Sequence, residues 1–191
     1  MNILCITGMP YSGKSEAAAA LRRKGFTVVD MSDSVRELMK KERADAKSVD
    51  EFAMGKRRRF GKEVFAKLAA KKIPKHRARI AINGVRSIEE IRYFKKELDP
   101  RLLVVAITSP RELRYERFLK NKDASKYSYA EFLSHDRFNI RLGMGKAIKR
   151  ADIVIANTGN AAELRSDINR TVKIAESALR GNHRINVDAE S

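Results

Sequence analysis

Short apolar runs recur along the 191-residue chain at 3–6, 26–29, 80–82, 102–107 and 153–156, each of strand length and rich in Ile and Val. They are apolar at successive positions rather than alternate ones, which predicts strands buried on both faces, as in a parallel sheet. The stretches between them, roughly 14–24, 33–42, 57–72, 87–97, 111–120 and 161–179, carry helical periodicity. Strands alternating with helices predict an α/β three-layer sandwich, a five-stranded parallel sheet with helices on both faces. No internal repeat or low-complexity tract interrupts this order, and no apolar run approaches the length of a membrane span.

The first strand runs into TGMPYSGKSEAAAA, in which Gly8, Gly13, Lys14 and Ser15 have the spacing G-x-x-x-x-G-K-[ST]. Glycines let the backbone curl so that several amide N–H groups point into one nest and bind phosphate oxygens. Met9, Pro10, Tyr11 and Ser12 complete the loop, Lys14 reaches the terminal phosphates, and the Ser15 hydroxyl ligates Mg²⁺. The helix-forming run EAAAALRRK behind it adds its dipole to the same phosphates. A strand, this loop and a helix in succession predict a P-loop NTPase fold that takes ATP and Mg²⁺. The fold hosts many activities, so function rests on the site.

Two long connections interrupt the regular alternation, about 31–78 and about 121–146. The second contains Asn121, Lys122, Asp123, Ser125, Tyr127, Ser128 and Tyr129. In small kinases of this architecture these places hold a helical acceptor region and a lid that excludes water from the transferring phosphoryl group. The expected organisation is one P-loop kinase-like domain over 1–181 with a polar tail over 182–191.

Composition adds charge to this picture. The net charge is +17, which implies anionic partners such as phosphorylated small molecules or nucleic acid. From Lys56 to Arg79 there are eleven Lys or Arg and one acid, Glu63, so this run holds +10 of the total. Phe60, Val64, Phe65, Leu68 and Ala69 form its apolar stripe and the cations its wet face, either a solvated surface or a nucleic acid contact. There is no aromatic-rich stacking platform beside it. The chain has no Gln and no Trp, a composition found in thermophiles. Cys5 reads as a small core residue, and His76, His135 and His183 share no metal spacing. The first residues show no signal peptide, so a cytoplasmic protein is expected, as a monomer or homodimer.

Taken together, TGMPYSGKSE, MSDSVRELM, GKEVFAK, INGVRSIEEIRYFKKE, SPRELRYERFLK and ADIVIANTG resemble the archaeal adenylate kinase-related proteins. That group is similar to nucleoside monophosphate kinases and dephospho-CoA kinases. The resemblance implies transfer of the ATP γ-phosphoryl to a small phosphorylated acceptor. Asp33 and Arg36 match a D-x-x-R in which the arginine holds the acceptor phosphate, and Arg86, after Gly84 in NGVRS, looks like a second acceptor arginine. Arg117 aligns with an arginine that packs on the donor adenine, and Asn157 and Gly159 resemble the adenine-side loop after the last strand. Arg137 and Arg141 sit where lid arginines reach the transferring group.

Two positions depart from that pattern. Relatives have Asp, ordering the Mg²⁺ water shell, where this chain has Asn83, which leaves Asp30 or Asp33 to take the role. Asp30 also reads as a helix N-cap. A second lid arginine is replaced by Asn121, with Lys120 and Lys122 beside it. Besides the kinase, two other readings stay open: a nucleic acid-associated ATPase or nucleotide-dependent switch using the basic run 56–79, and a protein that binds adenine nucleotides without turnover.

Overall fold

In β1 (Asn2–Thr7) successive side chains enter opposite cores: Ile3 and Cys5 face one layer, Leu4 and Ile6 the other. A strand covered on both faces has no wet positions, which is why its sequence is continuously apolar. The computed structural model describes residues 2–45, 48–74, 79–121 and 128–180. Expectations about His76, Lys122, Asp123, Ser125, Tyr127, His183 and the tail 182–191 lie outside them.

The chain continues through α1 (Lys14–Arg23), β2 (Thr27–Asp30), α2 (Met31–Lys41), α3 (Val49–Phe60), α4 (Val64–Ala70) and β3 (Arg79–Asn83). Then follow α5 (Ile88–Glu97), β4 (Leu103–Thr108), α6 (Arg111–Asn121), α7 (Tyr129–Arg141), α8 (Met144–Lys149), β5 (Ile153–Ala156) and α9 (Ala161–Arg180). The five strands form one parallel sheet in the order β2-β3-β1-β4-β5. Each predicted apolar run lies in or overlaps one of them. Helices α1 and α9 cover one face, where Ala17, Leu21, Leu164 and Ile168 pack on Leu4, Ile6 and Val105. On the other face Phe52, Phe65, Phe94 and Ala147, from α3, α4, α5 and α8, pack on Ile3, Ile80 and Ile82. With β1 central, the carboxyl ends of β1, β2 and β3 lie side by side, the edge where ligands bind open α/β sheets.

Two expectations are corrected. The single helix over 57–72 is two, because Gly61 adopts φ +93° and ψ 156°, which ends α3 and starts a new direction. Helix α3 also begins earlier than the periodicity suggested, capped by Ser48, whose Oγ accepts from Glu51 N at 3.1 Å. The segment expected as a lid holds α7, started by a capping box in which Ser128 and Glu131 exchange hydrogen bonds, and then α8. Among the described residues no helix is long and apolar enough to cross a membrane.

Candidate active site

The loop after β1 is held from behind. Gly8 has φ +147°, and a Cβ there would lie 2.3 Å from the Ile107 carbonyl oxygen. Gly13 has φ +108°, and its Cβ would lie 2.2 Å from Asn157 Nδ2. Asn157, buried after β5, donates from Nδ2 to the Ser12 carbonyl at 2.8 Å, so the adenine-side loop expected from sequence braces the phosphate loop. Tyr11 takes φ +62°, a conformation costly for a bulky residue, and its ring meets Phe118 of α6 edge-on at 5.2 Å.

Lys14, at the start of α1, donates from Nζ to the Met9 carbonyl at 2.8 Å. Burial, then the nearby Arg86 charge, pushes its ammonium down to about 7, while Asp30 pulls the other way. A phosphate entering here would relieve that penalty. Lys14 and Ser15 share a cavity of about 190 Å³ with Asp30, Asn83, Gly84 and Arg86, closed by Asn139 of α7 and Met144 of α8. Tyr11, Gly13, Lys14, Ser15 and Arg117 line an adjoining one of about 350 Å³.

The carboxylate in the first cavity belongs to Asp30. As N-cap of α2 it accepts from Ser32 N at 3.1 Å and Ser32 Oγ at 2.7 Å, and its other oxygen accepts from Asn83 Nδ2 at 2.7 Å. Asn83 Oδ1 is buried with no hydrogen-bond partner. Ser15, Asp30 and Asn83 line one cavity and all carry side-chain oxygens, the hard donor type that suits Mg²⁺ with part of its water shell. Among the described residues no group of three or more His, Cys, Asp or Glu is placed to hold a metal ion.

Arg86 is placed by its backbone. Gly84 N and Val85 N donate to the Ile6 carbonyl at 3.0 and 3.1 Å, and Thr7 Oγ1 donates to the Val85 carbonyl at 2.8 Å. Arg86 N donates to Glu90 Oε2 at 2.7 Å, while Glu90 Oε1 accepts from Arg57 Nη2 of α3 at 2.9 Å, both side chains being buried. The Arg86 guanidinium lies 3.6 Å from Asp50, and burial, then the Arg57 charge, lowers its affinity for its proton. Arg117 donates to Ser109 Oγ at 3.1 Å and to the Asn157 carbonyl at 3.2 Å, which seats it beside the loop.

Other expected residues are not brought together. Asp33 and Arg36 are exposed on α2 and bond each other at 3.0 Å. The cap at Asp30 puts Asp33 in the first turn facing solvent, so the structure moves the carboxylate of this site from Asp33 to Asp30. Arg137 is exposed on α7, Arg141 lines a separate cavity between α3 and α7, and Gly159 is exposed in the turn after β5. Cys5 is fully buried, which pushes its thiol up and out of reach.

Some site residues went unread in the sequence. Arg114 makes a bidentate pair with Asp136 of α7 at 2.7 and 2.6 Å, both buried, and reaches the Pro10 carbonyl at 3.4 Å. It therefore ties α7 to the phosphate loop. In α7 the buried positions Phe132, Asp136 and Asn139 fall at helical spacing, the one signal that could have found this face.

The basic run is largely neutralised. Of its nine described cations, Lys56, Arg57, Lys62, Lys67, Lys72 and Arg79 pair with Glu42, Glu90, Glu89, Glu63, Glu37 and Glu176. Arg58, Arg59 and Lys71 remain.

Comparison with known proteins identifies the family and the fold. A family model described as an AAA domain matches residues 7–131. A UPF0200 protein of Sulfurisphaera tokodaii is 37% identical over 174 residues, covering 91% of this chain and 97% of its own. Shikimate kinase from Acinetobacter baumannii, solved with shikimate, superposes with a TM-score of 0.61 at 18% identity, covering 93% of this chain and 94% of that one. A gluconokinase from Sinorhizobium meliloti gives a TM-score of 0.61 at 11% identity, covering 95% and 98%. At these identities the two structures share the fold.

Proposed function

From the chain's membership in the UPF0200 family, an archaeal group with a P-loop kinase-like fold, we propose that it is an ATP-dependent kinase acting on a small phosphorylated acceptor. One observation carries the reading: Lys14, Ser15, Asp30, Asn83 and Arg86, from three strand ends, line a single cavity at the mouth of the phosphate loop.

In this reading the amides from Gly8 to Ser15 cradle the donor phosphates and Lys14 leaves the Met9 carbonyl to meet them. Ser15 and Asp30 would hold Mg²⁺, with Asn83 aligning Asp30. When bound, Mg²⁺ neutralises charge on the donor phosphates. Arg117 and Asn157 lie on the adenine side. Arg86 holds the acceptor phosphate, one oxygen of which bonds to the γ-phosphorus as the bond to the β–γ bridging oxygen breaks and its electron pair leaves with ADP. Arg86 stabilises the charge that spreads over the transferring group. Asn139 and Met144 line the cavity from α7 and α8. Arg141 lines the neighbouring cavity from α7, whereas Asp33, Arg36 and Arg137 line neither cavity. The pairing of most of the basic run weighs against the nucleic acid-associated ATPase.

The test is transfer from γ-labelled ATP–Mg²⁺ to nucleoside monophosphates, dephospho-CoA and RNA, with Lys14→Ala as blank. Label on a small acceptor, lost in Lys14→Ala and in Arg86→Ala, is the expected result. Free phosphate alone, released faster with RNA, overturns it.

A further inference from the structure

A concavity of about 380 Å³ lies between α5 and α8, lined by Ile88, Glu89, Arg92, Lys146, Lys149 and Arg150. Helix α8 and its C-cap bury Met144 and Ala147 and expose Lys146, Lys149 and Arg150, at the i, i+3 and i+4 spacing that shares one face. Arg92 is exposed across from them on α5. None of these four cations has an ion-pair partner among the described residues. The one acid in the lining, Glu89, accepts from Lys62 Nζ at 2.8 Å, so its charge is already met from outside the concavity. The cavity between α3 and α7, by contrast, sets Arg58 and Arg141 against Asp50 and Glu51.

The chemistry of a partner follows from what accompanies this charge. Among the described residues, the exposed large apolar side chains all lie outside α5 and α8. A protein partner would need an apolar or aromatic anchor at the centre of the contact, and a membrane-surface helix needs an apolar face. Exposed ion pairs by themselves contribute little. A nucleic acid duplex is different, because its phosphates carry one charge per about 1.7 Å of axis and hold condensed counterions. Each protein cation that meets a phosphate releases some of them, which drives binding with no apolar contact at all. No aromatic ring lines the concavity to stack an open base, and a duplex keeps its bases inside and presents a convex ridge of phosphates.

We propose that the face formed by α5 and α8 binds the phosphate backbone of a nucleic acid duplex, through Arg92, Lys146, Lys149 and Arg150. Contacts to phosphate carry no sequence information, so binding is indifferent to sequence. The surface is separate from the basic run 56–79, most of whose described cations are spent in ion pairs, and from the cavities around the phosphate loop. It does not rest on the kinase reading: the face would seat the protein on a duplex whatever the phosphate loop does there.

The experiment follows fluorescence anisotropy of labelled RNA and DNA duplexes of about 16 base pairs as the full chain is titrated in. The logarithm of affinity should fall with that of salt at a slope of about −3 to −4, as for four phosphates neutralised. Arg92→Ala and Lys149→Ala should each weaken every duplex alike and reduce that slope by about one. Reversing Lys146, Lys149 and Arg150 together to Glu should abolish binding. The same charge change at Arg22, Lys24 and Lys173, exposed on the α1–α9 face across the sheet, should alter it about twofold at most near 0.15 M salt, where distant charges are screened. Melting temperature confirms that each variant folds, and saturating ATP–Mg²⁺ should not displace the duplex. Absence of binding, equal loss in the two triple variants, or a slope unmoved by both single ones overturns the surface. Displacement by ATP would place the duplex at the phosphate loop and overturn it too. Tighter binding of single strands, or of phosphatidylserine vesicles through the same cations, would assign the face to another partner.

Discussion

Asn83 and Asp30 occupy paired positions at the ends of β3 and β2, and the Asn83 amide donates to the Asp30 carboxylate at 2.7 Å. In the proposed reading Asp30 on the second strand takes the role expected of a carboxylate on the third, and Asn83 holds it in place. Asn83→Asp would set two carboxylates in contact, where like charges raise one of the two pKa values. The variant should melt several degrees lower without metal, recover with millimolar Mg²⁺ more than the wild type does, and transfer no faster. Faster transfer would show that Asp30 does not substitute.

Lys14 predicts a pH dependence with a definite sign. Its folded value of about 7 lies below the usual 10.5, so between these values the unfolded chain holds the extra proton and stability rises with pH. Below pH 7 both states are protonated and the folded state bears the full desolvation penalty. Lys14→Met should therefore raise the melting temperature at pH 6, by a stability on the order of a few kcal/mol, with the gain fading towards pH 10.5. Nucleotide binding at pH 8 should take up close to one proton in the wild type and none in Lys14→Met, read by calorimetry in buffers of different ionisation enthalpy.

Glu90 joins a buried charge to the backbone of the loop that carries Arg86. Glu90→Gln leaves Arg57 buried without a counter-charge, which should lower stability by about 3–5 kcal/mol in urea unfolding. Because Glu90 positions Arg86 and touches no phosphate, the surviving activity should show a raised acceptor KM and an unchanged ATP KM. A fall in stability with both KM values unmoved would make Glu90 structural only.

Gly13 faces two separate obstacles to a side chain, its φ of +108° and the Asn157 amide 2.2 Å from where a Cβ would sit. Gly13→Ala should abolish binding of a fluorescent ATP analogue. Adding Asn157→Ala removes the clash but not the strained backbone, so binding should return in part and remain at least about tenfold weak, the strain being of order 1–2 kcal/mol. Full recovery would show that the clash alone matters.

The strands were legible because a parallel sheet with both faces covered leaves no polar positions in its sequence. The phosphate loop was legible because a backbone nest requires glycine at fixed places. What escaped was charge used inside the protein. Arg57, Glu90, Arg114 and Asp136 are buried and paired, yet in sequence they look like surface residues. Helix α7 escaped for the same reason: its inward face carries Asp136 and Asn139 beside Phe132. The break at Gly61 was hidden because the apolar stripe continues on either side of it. Asp33 was preferred over Asp30 on the strength of a motif, whereas the cap geometry that turns Asp30 into the site depends on where β2 ends.

The place of β1 between β3 and β4 sets when its pairings can form. The strand that launches the phosphate loop is made before both of its neighbours, since Ile3 lies beside Ile80 and Leu4 beside Leu103. Long-range pairing of this kind is slow, since the chain must close large loops before any contact rewards it. The nascent protein therefore carries its ligand-binding loop on an unpaired ribbon through most of its synthesis, and the cradle takes shape only once the fourth strand has docked. Capacity to hold a nucleotide is accordingly a late milestone, and its appearance in a refolding experiment would time the completion of the sheet.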